Sequence, residues 1–136
     1  PIVICRSFGS EMFGRKNSKP TNQESILLVD DDKGQLDVFM AWMGAVRPSA
    51  HLQTATNAAE ATQLLNSTRF SLVISDYSMP HPAAGLDVLA AAKDSGLPVS
   101  QFIMLSGTTD NLPDGVRLVS KGDLPALEAA IEQALK

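Results

Sequence analysis

Polar or charged residues directly follow four apolar segments of this 136-residue chain. These residues are Asp30, Asp31, Asp32, Asp76, Ser106 and Lys121. Carboxylates that lie close together repel one another. A hard divalent cation with oxygen ligands relieves that repulsion, and Mg²⁺ is the usual choice beside phosphate. A carboxylate, Mg²⁺, a lysine and a hydroxyl are the groups needed to transfer a phosphoryl group to an aspartate.

The segments between these residues predict alternating strands and helices. Continuous apolar runs are typical of strands buried on both faces, and apolar residues at helical spacing are typical of amphipathic helices. The predicted strands are 26–29, 51–55, 70–75, 99–105 and 116–119, and the predicted helices are 33–46, about 56–68, 85–94 and 124–135. This alternation predicts an α/β fold with a doubly wound five-stranded parallel sheet. In such sheets functional groups gather at the carboxyl ends of the strands.

Charge is distributed unevenly along the chain. Residues 1–25 carry four basic and two acidic side chains, whereas the whole chain has a net charge of −4. The polar, breaker-rich first part predicts an N-terminal extension or linker over 1–25, followed by one domain over 26–136. The acidic domain argues against nucleic-acid binding. No apolar run approaches the roughly 18 residues that a membrane span requires, and a single cysteine suits the cytoplasm.

Four segments, taken in order, resemble the signature segments of response-regulator receiver domains. They are residues 28–32, 73–80, 104–107 and 119–121. The resemblance covers 26–136 and implies a flavodoxin-like receiver fold. It also implies a phosphoacceptor in a two-component phosphorelay, not an enzyme. The implied partners are a histidine kinase or histidine phosphotransfer protein and a downstream protein effector.

The resemblance also implies a role for each candidate site residue. The Mg²⁺ ligands would be Asp30, Asp31, Asp76 and the backbone carbonyl of Ser78. Asp76 would also accept the phosphoryl group. The Ser106 hydroxyl would move toward that group, and Lys121 would contact it.

The sequence departs from the receiver pattern in three places. The loop after Asp76 is one residue longer than usual before its glycine. Residues 107–115 contain two glycines and Pro113. We therefore expect the helix that receivers usually carry there to be short or absent, with a loop or at most one turn in its place. Leu118 stands where an aromatic residue is common, and Gly122 stands where a proline is usual, so the output surface is altered.

Two other functions fit parts of the sequence. Asp30 and Asp32 form the Asp-x-Asp pattern of haloacid-dehalogenase-type phosphohydrolases, in which Asp30 would be the nucleophile and Asp32 the general acid. No second acidic pair occurs late in the chain to support that function. The domain could instead be a receiver-like binding module that is never phosphorylated, although Asp76, Ser106 and Lys121 argue against it.

Overall fold

The computed structural model of the protein describes residues 24–77, 84–107 and 115–135. The predicted extension over 1–25 therefore lies almost entirely outside the described residues. The same holds for Ser78 and the rest of the loop after Asp76, and for residues 108–114 of the predicted loop.

Five strands form one parallel sheet. They are β1 (Ser25–Val29), β2 (His51–Ala55), β3 (Leu72–Asp76), β4 (Phe102–Ser106) and β5 (Arg117–Ser120). Their order in the sheet is β2-β1-β3-β4-β5, and all neighbours pair in parallel. The chain reverses its direction of winding between β1 and β3, which is where sheets of this type bind ligands at their carboxyl ends. The predicted flavodoxin-like doubly wound sheet is confirmed.

Helices cover both faces of the sheet. The part of the chain that the structure describes contains α1 (Lys33–Val46), α2 (Ala58–Ser67), α3 (Ala84–Asp94) and α4 (Leu124–Ala134). One core cluster packs α1 and α4 against the sheet, and a second packs α2 and α3 against the other face. No helix among the described residues is both long and apolar enough to cross a bilayer.

Alternate side chains of the central strands β1, β3 and β4 enter these two clusters. Along β1, Ile26 and Leu28 pack with α1 and α4, whereas Leu27 and Val29 pack with α2 and α3. Because these four side chains are all buried, the strand reads as a continuous apolar run in the sequence. The first polar side chain after such a strand must therefore lie at the edge of the sheet.

Side-chain caps determine where the helices begin. Asn57 Oδ1 accepts a hydrogen bond from the Glu60 N–H at 2.8 Å at the start of α2. Asp123 Oδ1 accepts from the Ala126 N–H at 3.2 Å at the start of α4, where a proline occupies the first turn. These caps satisfy N–H groups that have no partner within the helix.

One predicted strand begins later than the sequence indicated. Residues Val99–Gln101, predicted as strand, form a 3₁₀ turn, and β4 begins only at Phe102. The Gln101 N–H donates to the Pro98 carbonyl at 2.9 Å, which closes the turn. The apolar run could not reveal this, because a local hydrogen bond decides it. The third strand likewise begins at Leu72, two residues after the predicted start.

The connection between β4 and β5 is short. Ten residues, 107–116, separate the two strands. Residue Gly115 has a φ of +91°, a conformation that favours glycine. No helix lies between β4 and β5 among the described residues, 107 and 115–116. The shortened connection that the sequence predicted is confirmed, and the conformation of 107–115 as a whole remains a prediction.

Candidate functional site

Two buried aspartates lie side by side at the carboxyl edge of the sheet. Val29 of β1 pairs with Ser75 of β3, so the next residues along these strands, Asp30 and Asp76, are neighbours. Each is only 3% exposed. Carboxylates are rarely buried unless they are paired or bind a cation. The register of β1 on β3 therefore creates a concentration of negative charge that needs a positive partner.

The neighbouring Asp31 completes an acidic cluster. Asp30, Asp31 and Asp76 each offer a carboxylate oxygen, and these oxygens lie within 4.8 Å of one another. Asp30 Oδ1 accepts a hydrogen bond from the Asp32 N–H at 3.0 Å. Asp30 Oδ2 is buried, and no donor among the described residues reaches it. A buried oxygen without a donor, facing two further carboxylates, fits a hard divalent cation such as Mg²⁺.

The electrostatics of Asp30 agree with this assignment. Burial raises the pKa of the Asp30 carboxyl, and the charge of Asp76 raises it further. The Asp32 N–H and the Lys121 ammonium lower that pKa, but the net direction is upward. The ionised form of Asp30 is therefore disfavoured in the folded protein by itself, and a bound cation would favour it.

Lys121 places a positive charge beside the acidic cluster. Its Nζ lies 2.9 Å from Asp76 Oδ2, and the Asp76 side chain is only 4% exposed. Burial lowers the pKa of Lys121, but the hydrogen bond to Asp76 and the nearby charges of Asp76, Asp30 and Asp31 raise it overall. The Lys121 ammonium is therefore held at the Asp76 carboxylate. Asp76 ends β3 and Lys121 follows β5, so the contact spans the intervening strand β4.

Ser106 is the last residue of β4 and is 6% exposed. Its carbonyl accepts a hydrogen bond from the Lys121 N–H at 2.9 Å. Because Leu105 pairs with Asp76, Ser106 lies one residue beyond the level of Asp76 on the adjacent strand. The structure thus brings Asp30, Asp31, Asp76, Ser106 and Lys121 to one edge of the sheet, whereas Ser78 lies outside the described residues.

Asp32 has a different position from its two neighbours. Its Oδ1 accepts hydrogen bonds from the Gly34 N–H at 2.9 Å and the Gln35 N–H at 3.3 Å, and so caps α1. The carboxylate is already engaged as a helix cap by these two backbone N–H groups. The position of Asp32 therefore weighs against its use as a general acid, and so against the phosphohydrolase hypothesis.

Sequence analysis missed two residues that contact the backbone of Asp76. The buried Ser75 hydroxyl donates to the Asp76 carbonyl at 3.0 Å. A Cβ added at Gly85 would lie 2.5 Å from that same carbonyl oxygen. A hydroxyl inside an otherwise apolar strand was the one available signal for Ser75, and the signal for Gly85 was its place as the glycine that ends the loop after Asp76.

Comparison with known proteins identifies the domain. The family model described as "Response regulator receiver domain" matches residues 26–128. No curated protein matches the chain significantly.

Several solved structures are similar. The signal receiver domain of an HD domain-containing protein from Pseudomonas fluorescens Pf-5 is 30% identical, with a TM-score of 0.65, over 83% of this chain and 94% of that one. The response regulator TrrA from Thermotoga maritima, in complex with Mg²⁺ and BeF, is 21% identical, with a TM-score of 0.70, over 83% of this chain and 100% of that one. The receiver domain of the hybrid histidine kinase CckA is 24% identical, with a TM-score of 0.67, over 82% of this chain and 99% of that one.

The family match spans three quarters of the chain. It includes every strand apart from the first residue of β1, and it ends at residue 128, within α4. It also spans each candidate site residue. With this fold and this match, the chain belongs to the response-regulator receiver domain family.

Proposed function

We propose that this receiver domain accepts a phosphoryl group on Asp76 in a Mg²⁺-dependent reaction. One observation carries the proposal: Lys121 Nζ lies 2.9 Å from Asp76 Oδ2, beside a carboxylate cluster that contains a buried oxygen without a donor. A structural ion pair alone would not require Asp30 and Asp31 next to it. Phosphoryl transfer to a carboxylate requires all of these groups.

In this reaction a carboxylate oxygen of Asp76 forms a bond to phosphorus. The bond from phosphorus to the donor breaks at the same time, and the donor leaves with its electron pair. For a phosphohistidine donor, the leaving group is the imidazole of the partner. Lys121 moves from Asp76 Oδ2 to a phosphoryl oxygen, and the Ser106 hydroxyl donates a hydrogen bond to another. These contacts neutralise the charge that the transferred group carries.

The expected metal is Mg²⁺, held by Asp30, Asp31, Asp76 and the backbone carbonyl of Ser78. When bound, it would neutralise negative charge on both the carboxylates and the phosphoryl oxygens. Asp30 and Asp31 would serve in this role because they follow β1, which lies between β2 and β3 in the sheet. Asp32 contributes its N–H to Asp30 and thereby orients that carboxylate.

Receiver domains as a class interact with histidine kinases and with downstream effectors. For this chain we infer a cytoplasmic role as a switch, not as an enzyme with its own turnover. Its donor would be a histidine kinase or a histidine phosphotransfer protein, and its output would be a protein partner. The likeness to a receiver domain from a hybrid histidine kinase supports such a phosphorelay role.

The test is incubation of the protein with acetyl phosphate and Mg²⁺, followed by intact-mass spectrometry. We expect the wild type to gain one phosphoryl group, and Asp76→Asn to gain none while it keeps its fold. The change is nearly isosteric and removes one charge from a crowded acidic cluster. Asp37→Asn, on an exposed position of α1, is the matched control and should be phosphorylated normally.

The same experiment separates the competing functions. Peptide mapping that places the phosphoryl group on Asp30 would support a phosphohydrolase instead. A wild type that binds neither Mg²⁺ nor the phosphoryl mimic beryllofluoride would support a binding module that is never phosphorylated. Loss of modification in Asp76→Asn, with retention in Asp37→Asn, is the pattern that the proposal requires.

A further inference from the structure

We propose that Ser75 and Gly85 are positioning residues that hold the backbone of Asp76 in place, so that its carboxylate meets Lys121 and the metal ligands. The inference rests on the proposed function of Asp76. It concerns atoms that do not themselves contact the phosphoryl group. Two contacts on one carbonyl group carry it.

The first contact comes from the strand itself. Ser75 is fully buried, and its hydroxyl donates to the Asp76 carbonyl at 3.0 Å. Ser75 pairs with Val29 and Met104 in the sheet, so its side chain lies on the face covered by α2 and α3. A hydroxyl in that apolar layer is costly unless it is hydrogen-bonded. The bond it makes ties the peptide unit that joins Asp76 to Tyr77 to the Ser75 side chain.

The second contact comes from the start of α3. A Cβ added at Gly85 would lie 2.5 Å from Asp76 O, 2.7 Å from Met104 Sδ and 2.9 Å from Tyr77 Cα. Two of these three atoms belong to the backbone and cannot rotate away. The Gly85 N–H also donates to the Tyr77 carbonyl at 2.8 Å. The first turn of α3 therefore lies directly against the peptide that joins Asp76 to Tyr77.

The Tyr77 N–H also donates to the Leu105 carbonyl of β4 at 2.9 Å. The end of β3 is thus held by β4 on one edge, by the Ser75 hydroxyl and by the first turn of α3. A shift of this peptide would move the Asp76 side chain, because the Cα belongs to the same rigid unit. Displacements of about 1 Å at a reacting group lower rates by up to about a hundredfold.

Two variants test the inference with the full chain. Gly85→Ala forces the first turn of α3 away from Asp76, and Ser75→Ala removes the hydroxyl without adding bulk. At saturating Mg²⁺, and at a temperature where each variant is folded, we expect phosphorylation by acetyl phosphate to slow at least tenfold in Gly85→Ala. We expect a slowing of about threefold or more in Ser75→Ala.

Matched controls separate positioning from general stability. Gly44 lies in α1 with nothing within 4 Å of an added Cβ, so Gly44→Ala repeats the glycine-to-alanine change at a site that can accept it. The Ser67 hydroxyl donates to the Gln63 carbonyl at 3.0 Å at the end of α2, so Ser67→Ala removes an exposed hydroxyl-to-carbonyl bond away from the site. Both controls should be phosphorylated at the wild-type rate.

A second readout does not depend on phosphorylation. Side-chain NMR resonances of Lys121 report its contact with Asp76 Oδ2, and they should shift in Ser75→Ala and Gly85→Ala but not in the controls. If the wild type is not phosphorylated, the proposed function fails, and the Lys121 resonances still decide whether these residues position Asp76. Should Gly85→Ala not fold, Ser75→Ala alone decides. Folded variants with wild-type rates and unshifted Lys121 resonances would overturn the inference.

Discussion

Asp30→Asn should make the protein more stable in the absence of Mg²⁺ and remove its stabilisation by Mg²⁺. Asp30 is 3% exposed, and no donor among the described residues reaches its Oδ2. An asparagine can keep the hydrogen bond from the Asp32 N–H through its amide oxygen. Its amide nitrogen would occupy the place of Oδ2, where it can donate to a neighbouring carboxylate.

The magnitude follows from two contributions. An unsatisfied buried polar group costs about 1–3 kcal/mol, and more when it is charged. Like charges at the 4.8 Å limit of the cluster repel by roughly 3 kcal/mol at an effective dielectric constant of about 20. The Lys121 ammonium offsets part of that repulsion, and solvent at the exposed Asp31 screens another part. We therefore expect Asp30→Asn to raise the free energy of unfolding by about 1–3 kcal/mol in EDTA.

The effect should depend on pH with a defined sign. The folded-state pKa of Asp30 is raised above its reference value of 3.8, chiefly by burial. Folding therefore favours the protonated carboxyl. The stability that Asp30 contributes is present below pH 3.8 and is lost as pH rises through the folded-state pKa. The stability difference between wild type and Asp30→Asn should thus be absent below pH 3.8, and it should increase as pH rises through the folded-state pKa of Asp30.

The assay is thermal and urea unfolding of wild type, Asp30→Asn and the surface control Asp37→Asn, each in EDTA and in excess Mg²⁺. Binding to the folded state stabilises by RT ln(1 + [L]/Kd), about 2.7 kcal/mol at a hundredfold excess over Kd. We expect this gain in wild type and Asp37→Asn, and little of it in Asp30→Asn. If Asp30→Asn were no more stable than wild type in EDTA, or gained as much from Mg²⁺, the reasoning about the unpartnered oxygen would be refuted.

Three further predictions concern neighbouring groups. Lys121→Ala should slow phosphorylation by acetyl phosphate by about a hundredfold at saturating Mg²⁺, measured by intact mass, because one charge-stabilising donor is lost; a wild-type rate would contradict it. Asp31→Ala should weaken Mg²⁺ binding at least tenfold in a fluorescence titration. Asp32→Ala should instead lower the free energy of unfolding by about 1 kcal/mol through loss of the α1 cap. An equal loss of Mg²⁺ affinity in both variants would count against the assignment of Asp31 to the metal and Asp32 to the cap. Backbone NMR relaxation should show residues 107–115 as a loop or single turn that becomes ordered with beryllofluoride, and a rigid multi-turn helix in the unmodified protein would exclude it.

The sequence alone determined the fold class and most of the candidate site. The central strands β1, β3 and β4 are buried along almost their whole length, so each reads as an apolar run, and the polar residue where the run ends marks the edge of the sheet. This is why Asp30, Asp76 and Ser106 could be assigned to one site from local patterns. The helix starts were also readable, because caps such as Asn57 and Asp123 satisfy backbone groups only a few residues away.

Tertiary structure decided what depends on contacts between distant segments. The register that places Val29 beside Ser75 sets Asp30 against Asp76, and no local pattern encodes the alignment of two strands. The same register leaves Asp30 Oδ2 without a donor among the described residues, whereas Asp32, two positions away, turns outward to cap α1. The approach of Gly85 to the Asp76 carbonyl exists only once α3 packs on β3. Sequence can show which groups reach the edge of a sheet, but their distances follow from how strands and helices pack.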